Sequence, residues 1–273
     1  MRDRREKRPP RSLRAEYQEF IEQRIEEYKD NLPREAILGI GDEAIQELGR
    51  TDQLALTEVV LSEQVDAIIK KRLRLPSFRR WREKHLALRA AQSQPAHWGL
   101  SAHDPVVTLA ELLEDQDPVL QIGAADGACA LFLAARGAQL VVLDPDIAAI
   151  LGLENRALSE QLASRIECRV DGLDGVNPEP AEFVATLIET SALSGVESAS
   201  LAALIARLKA ATGEGGHHAV MPGGPHRGGG EPLLSSEALR PLYSDWKVQL
   251  PPGQTRNSRS RNAGFLATRP ASK

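Results

Sequence analysis

One stretch of this sequence, residues 119–144, constrains the fold of the chain more than any other. It reads VLQIGAADGACALFLAARGAQLVVLD: an apolar run, a glycine-containing turn, an alanine-rich segment and a second apolar run that ends in an acid. This layout is typical of a strand, a helix and a second strand in a nucleotide-binding βαβ unit. The turn brings backbone N–H groups and a helix N-terminus to one point, so the sequence predicts a ligand there.

Strand-like and helix-like segments continue to alternate after this unit, which favours parallel strands covered by helices. Five strands are predicted at residues 119–122, 139–143, 166–170, 183–188 and 217–221. Two further strands, 246–250 and 264–268, lack a crossover helix between them, and we expect them to form an antiparallel hairpin at the sheet edge. The predicted fold class is α/β, a Rossmann-like, doubly wound and mostly parallel sheet with an antiparallel closing hairpin.

The first third of the chain differs in kind and is expected to form an all-α domain before this sheet. Apolar residues recur there at spacings of three and four in helical segments at about 13–30, 33–48, 51–75 and 78–91. The predicted organisation is a disordered basic tail (1–12), an N-terminal helical domain (13–92), a linker (93–104) and the α/β domain (105–273).

The most basic part of the helical domain is the run KKRLRLPSFRRWREKHLALR, residues 70–89, in which nine Lys and Arg meet the single acid Glu83. One interpretation is a phosphate-binding face with Trp81 or Phe78 available to stack on bases. The other is a solvated helix face with two core aromatics, because both fall at helical core spacing. We favour the second interpretation, and both stay open at this point.

Composition excludes several classes of protein. The net charge is −4, and no apolar run approaches the roughly 18 residues that span a bilayer. The basic start lacks the apolar segment of a secretory signal. The two cysteines, Cys129 and Cys168, have neither CxxC spacing nor a neighbouring His cluster, so we expect no metal site and no disulfide framework. The expectation is a cytoplasmic protein without membrane partners.

The turn after the first strand has the spacing G-x-x-x-G, from Gly123 to Gly127, and not the G-x-G-x-x-G of dinucleotide-binding folds. An NAD-dependent oxidoreductase is therefore a weaker hypothesis. Asp144 closes the second strand, where a carboxylate can accept hydrogen bonds from both hydroxyls of a ribose. Asp171 follows the third strand. Each acid alone is more often a cap or a loop residue, but their order favours a nucleotide-like ligand.

With these residues, the chain from 119 to about 270 resembles a class I S-adenosylmethionine-dependent methyltransferase. The resemblance rests on the glycine turn, Asp144, the Val170-Asp171-Gly172 run and the hairpin after Trp246. It implies S-adenosylmethionine as cofactor and a role for each site residue. Gly123, Ala125 and Gly127 would pass under the methionine part, Asp144 would hold the ribose, and Asp171 would meet the adenine.

Two positions depart from the pattern of that family. Gln121 stands where an acid usually ends the first strand, and Ala125 replaces the middle glycine. Gln121 can still hydrogen-bond the loop or the amino group of the cofactor, but it supplies no charge to balance an ammonium. A weakly binding or non-catalytic domain is therefore an open alternative. The segment SSEALRPLYSDWKVQL is similar to the late helix and strand of methyltransferases of the tellurite-resistance type.

Candidate catalytic residues follow the fourth and fifth strands, at the edge where an acceptor would lie. Glu189, with Thr190 and Ser191 beside it, and His226, in the loop PGGPHRGGGEP at 222–232, could accept a proton. The alternatives are a plain loop acid for Glu189 and a mobile exposed side chain for His226. The loop suits a flexible lid over the pocket, together with the helical domain, or is simply disordered.

Three functions remain in competition. A methyltransferase acting on a small-molecule acceptor is slightly favoured. An RNA methyltransferase would use the basic run at 70–89 and the RNSRSR run at 256–261 as an electrostatic track. In the third, the fold is a non-catalytic scaffold, and the N-terminal helices dock a partner or a second copy to give a homo-oligomer.

Overall fold

The computed structural model describes residues 12–49, 58–173, 176, 178–193, 196–222, 234–250 and 264–271. The chain divides into two compact units, Met1–Leu88 and Arg89–Lys273. Within the described residues, no helix combines the length and the apolar character needed to cross a membrane. Several sequence predictions lie outside the described residues: the tail up to residue 11, the start of the third helix at 51–57 and the RNSRSR run.

The described part of the N-terminal region is helical, as predicted. Its helices are α1 (Leu13–Asp30), α2 (Arg34–Gly49), α3 (Glu58–Arg72) and α4 (Phe78–Gln92). Ser12 caps α1 by accepting a hydrogen bond from the Ala15 N–H at 3.2 Å. The third helix ends at Arg72, three residues before the predicted end, and Arg74 adopts a positive φ of 49° ahead of Pro76.

The core of this unit is built from isoleucines of α1, α2 and α3, with an aromatic cluster beside it. The buried isoleucines are Ile21, Ile25, Ile40, Ile68 and Ile69. Trp81 is only 5% exposed and lies against Tyr17, Phe78 and His85. The apolar stripe of α1 therefore packs within its own unit. Trp81 is a core aromatic, which contradicts the interpretation in which it stacks on bases.

Unit 2 is organised around one mixed seven-stranded sheet of order β3-β2-β1-β4-β5-β7-β6. Its strands are β1 (Pro118–Ile122), β2 (Gln139–Asp144), β3 (Ile166–Val170), β4 (Phe183–Glu189), β5 (Thr212–Met221), β6 (Lys247–Gln249) and β7 (Phe265–Thr268). Strands β1 to β5 pair in parallel, whereas β7 runs antiparallel to both β5 and β6. The predicted doubly wound sheet with an antiparallel closing hairpin is confirmed.

Helices cover both faces of the sheet. Because side chains of a strand alternate between its faces, each strand contributes to the core on either side. Val119 of β1 packs with α5 (Pro105–Leu112), α6 (Ala128–Ala135) and α7 (Ile147–Ser159). Leu120 and Ile122 pack on the other face, with α8 (Ser198–Ala211) and α9 (Ser236–Leu239). The segment predicted as a linker contains a 3₁₀ helix, Pro95–Trp98, whose Trp98 is buried in the first of these cores.

Candidate functional site

The candidate site lies at the carboxyl edge of the sheet, where the strand order reverses. The chain moves outward from β1 through β2 to β3 on one side and continues with β4 and β5 on the other. In open α/β sheets, ligands bind beyond the carboxyl ends of the strands at such a reversal. Ile122 pairs with Ile188, so Gly123 and Glu189 leave neighbouring strands side by side. Asp144 ends β2, and Asp171 follows β3.

The glycines of the turn are explained by backbone conformation and close packing. Gly123 has φ +89°, and an added Cβ would lie 2.7 Å from the Ala192 Cβ and 2.9 Å from the Glu189 Cβ. Gly127 precedes α6 with φ +80°, where an added Cβ would lie 3.0 Å from a methyl of Leu153. Ala125 adopts a positive φ of 47° and is exposed. Larger side chains are therefore excluded at both glycines before any ligand is considered.

Asp144 holds the turn in place. Its buried carboxylate accepts the Ala124 N–H at 2.7 Å through Oδ2 and the Asp146 N–H at 2.7 Å through Oδ1. A carboxylate oxygen has two lone pairs, so each oxygen can accept one more hydrogen bond. The position predicted to hold a ribose thus also organises the loop that would lie beneath the ligand.

Gln121 likewise holds the turn with one group and leaves another group without a partner. Its Nε2 donates to the Gly123 carbonyl at 2.7 Å, while its Oε1 is buried without a hydrogen-bond partner among the described residues. A buried acceptor without a partner costs free energy, about 1–3 kcal/mol. Such an atom is explained when a ligand donates a hydrogen bond to it, and an amino group is a donor of that kind.

Glu189 is the most strongly perturbed carboxyl of the site. Its side chain is 6% exposed, and burial raises its pKa to about 7 even though the Cys129 thiol donates a hydrogen bond that lowers it. The negative charges of Asp126 and Asp104 raise the pKa further. Burial and the same carboxyl also raise the pKa of Cys129 well above its usual range. The buried position contradicts the alternative of a plain solvated loop acid.

The remaining predicted site residues differ in their exposure, and some lie outside the described residues. Asp171 is exposed at the end of β3. Thr190 is buried in a 3₁₀ helix, Thr190–Leu193, while Ser191 is half-buried. His226 and all of the predicted lid except Pro222 lie outside the described residues. The described residues contain no group of three or more side chains arranged to hold a metal ion.

Sequence reasoning missed three residues that surround Glu189: Asp104, which precedes α5, Asp126 in the turn and Cys129 in α6. Asp126 accepts the Ala128 N–H at 2.9 Å, as a helix-capping side chain does. The acid within the glycine turn was a usable signal. The other two residues come close to Glu189 only through the fold.

The strand order, the antiparallel β7 and the turn after β1 define the Rossmann-like fold of class I S-adenosylmethionine-dependent methyltransferases, here preceded in sequence by helices α1 to α4. No protein-family model matches the sequence, and no curated protein does. The chain is similar to several solved structures.

One of these structures is a SAM-dependent methyltransferase from Methanosarcina mazei, at 16% identity over 60% of this chain and 98% of that one, with a TM-score of 0.46. Another is the N-methyltransferase NodS from Bradyrhizobium japonicum, at 17% identity over 61% and 93%, with a TM-score of 0.47. A third is a TehB-like SAM-dependent methyltransferase from Corynebacterium glutamicum, at 12% identity over 71% and 95%, with a TM-score of 0.47.

Proposed function

We propose that this chain binds S-adenosylmethionine and transfers its methyl group to a small-molecule acceptor. The observation that supports this most directly is the set of ligand-type groups at the reversal point of the sheet. Gln121 Oε1 is a buried acceptor without a partner among the described residues. Each carboxylate oxygen of Asp144 can accept one further hydrogen bond, and Asp171 is exposed at the end of the next strand. The three groups lie at the carboxyl ends of β1, β2 and β3, in the order in which a nucleoside with an amino-acid tail would need them.

The residues present fit such a cofactor. Gln121 Oε1 would accept from its amino group, Asp144 from the ribose hydroxyls, and Asp171 from the amino group of adenine. When bound, S-adenosylmethionine supplies an electrophilic methyl group on a positively charged sulfur. The chain's own contribution is to hold the acceptor in line with that methyl group and to exclude water, since the displacement needs no covalent intermediate.

An acceptor that keeps its proton until attack requires a proton acceptor. Glu189, with a pKa raised to about 7, is a base of suitable strength near neutral pH, and His226 stays a prediction. A role as proton acceptor alone predicts that Glu189→Gln lowers kcat without changing cofactor affinity. The dependence of kcat on pH would then lose its rise near pH 7.

Calorimetry tests the proposed cofactor. The full chain should bind S-adenosylmethionine and S-adenosylhomocysteine in the micromolar range and should not bind NAD at millimolar concentration. Asp171→Ala should weaken binding several-fold, because it removes one hydrogen-bond acceptor from an exposed position without affecting the fold. Absence of binding at millimolar S-adenosylmethionine would overturn the proposal and favour the scaffold function, in which the N-terminal helices dock a partner or a second copy.

RNA as acceptor is a separate outcome. Lys70, Lys71, Arg79 and Arg80 are exposed, which suits phosphate contacts, but Trp81 is buried and offers no stacking surface. Replacing the four basic residues by glutamine should leave transfer to a small acceptor unchanged. If RNA is the acceptor, the same change should weaken RNA binding and flatten its dependence on salt.

A further inference from the structure

Glu189 and Gln121 lie on the same face of the sheet, at the two strands that flank the reversal point. Gln121 pairs with Leu187 across β1 and β4, and Val119 and Leu187 pack in one core. Since side chains two residues apart in a strand share a face, Gln121 and Glu189 both project toward α6. Cys129 of α6 contacts the carboxyl of Glu189, and the Gln121 amide reaches the carbonyl of Gly123.

No cation balances Glu189 among the described residues, because none of their Lys, Arg or His nitrogens lies within 4.0 Å of its carboxylate. The groups that face it are the thiol of Cys129 from α6, the carboxylate of Asp126 from the turn and that of Asp104 ahead of α5. Each of them is neutral or negative. Burying an unpaired charge costs several kcal/mol, so the ionised form needs a positive charge from elsewhere.

We infer that Glu189 is the counter-ion for the ammonium group of the bound cofactor and that Gln121 Oε1 accepts a hydrogen bond from the same group. This inference rests on the proposed function. It assigns to β4 the carboxylate that β1 lacks: Gln121 gives the hydrogen-bond acceptor, and Glu189, one strand away on the same face, gives the charge. Glu189 is then a binding residue, and its replacement should lower cofactor affinity more than it lowers the rate of the chemical step.

A proton must leave Glu189 when the positive charge arrives. Because burial raises the pKa of this carboxyl to about 7, it is mostly protonated at pH 6 and mostly ionised at pH 8. If only the ionised form binds, the affinity for a ligand with an ammonium group should rise about tenfold between these pH values. A ligand without an ammonium group should show no such rise.

The experiment is calorimetric titration of the full chain at pH 6 and pH 8 with two probes. S-adenosylhomocysteine carries the ammonium group, whereas 5′-methylthioadenosine keeps the nucleoside and thioether without it. We expect the wild type to bind S-adenosylhomocysteine about tenfold tighter at pH 8. Glu189→Gln should lower that affinity at least tenfold at pH 8 and remove its pH dependence, while 5′-methylthioadenosine binds both proteins equally.

Two further variants control for folding and for charge in general. Glu111→Gln removes an exposed carboxylate of α5 and should leave all affinities unchanged. The double variant Gln121→Glu with Glu189→Gln returns the acid to β1 and should recover most of the affinity for S-adenosylhomocysteine. Equal binding by wild type and Glu189→Gln, with a lower kcat alone, would overturn the counter-ion role and leave a proton acceptor. A wild type that binds neither probe would instead refute the proposed function.

Discussion

Replacement of Glu189 by glutamine should stabilise the ligand-free protein, and by more at pH 8 than at pH 5. Glutamine has nearly the shape of a protonated glutamic acid but cannot ionise. The carboxyl of Glu189 is buried beside the thiol of Cys129, and Asp126 and Asp104 add negative charge near it. In the wild type, an alkaline solution therefore forces a charge into a site where nothing balances it.

The size of the effect follows from the two pKa values. The folded protein holds the carboxyl near a pKa of about 7, whereas the ordinary value of 4.5 applies to the unfolded chain. Between these values the folded state binds more protons, so stability falls as the pH rises and the loss is complete above pH 7. At 1.36 kcal/mol per pKa unit, the full loss is about 3 kcal/mol. The variant should thus gain about 3 kcal/mol at pH 8 and about 1 kcal/mol at pH 5.

The assay is urea unfolding at both pH values, read by hydrogen exchange of peptides from β1 and β4 so that unit 2 alone is followed. Comparison of variant with wild type at each pH cancels the titration of all other groups. Glu111→Gln is the matched control and should change stability equally at both pH values, because its side chain is exposed in both states. A gain for Glu189→Gln that is the same at pH 5 and pH 8 would refute the reasoning.

Two other predictions concern the stability of unit 2, and urea unfolding measures both. Gly123→Ala should lower the free energy of unfolding by about 2–4 kcal/mol, because the new side chain has a positive φ and its Cβ would lie 2.7 Å from the Ala192 Cβ. Gly172→Ala is the control and should be close to neutral, since no atom lies within 4 Å of the added Cβ. Tyr243→Phe should cost about 1–3 kcal/mol, because it removes the hydroxyl that shares a hydrogen bond of 2.7 Å with His218 Nδ1. A loss below 0.5 kcal/mol would show that His218 is satisfied in another way.

The sheet was predictable wherever a strand is an apolar run. Strand β1 begins one residue before its predicted start and β7 one residue after, because burial on both faces demands continuous apolar sequence. Strand β5 is the exception: it starts at Thr212, five residues before its predicted start, through the sequence TGEGG. Glycines carry no apolar signal, and pairing of Thr212 with Phe183 decides that half of the strand.

The predicted linker at 93–104 illustrates the same limit in a loop. Pro, Gly and His residues make the segment polar, which is typical of a connection between domains. Yet Trp98 is buried in the core of unit 2, and its Nε1 donates to the carbonyl of Gln92 at 2.7 Å. One large apolar side chain in a polar segment gains its burial from residues distant in sequence. No local sequence pattern indicates the burial of Trp98.

The candidate site was likewise predictable only in part. Positions at or just after the ends of strands, such as Asp144, Asp171 and Glu189, could be found from the sequence, since the carboxyl ends of parallel strands share an edge. The sequence does not say whether a carboxyl is exposed, paired or buried without a cation, because that depends on α5 and α6. Asp171 is exposed, whereas Glu189 is buried.

The contrast between two buried polar groups of this sheet supports a ligand-binding purpose at one of them. On β5, His218 is fully buried, but Thr212 lies 2.7 Å from its Nε2 and the Tyr243 hydroxyl 2.7 Å from its Nδ1, so both ring nitrogens are satisfied. At the ends of β1 and β4, Gln121 Oε1 has no partner and Glu189 no cation among the described residues. The same fold can pair its buried polar groups, so an acceptor without a partner and a carboxyl without a cation at the reversal point reduce stability with no structural benefit. That loss is expected at a site shaped for binding rather than for stability, and a positively charged ligand would relieve both defects at once.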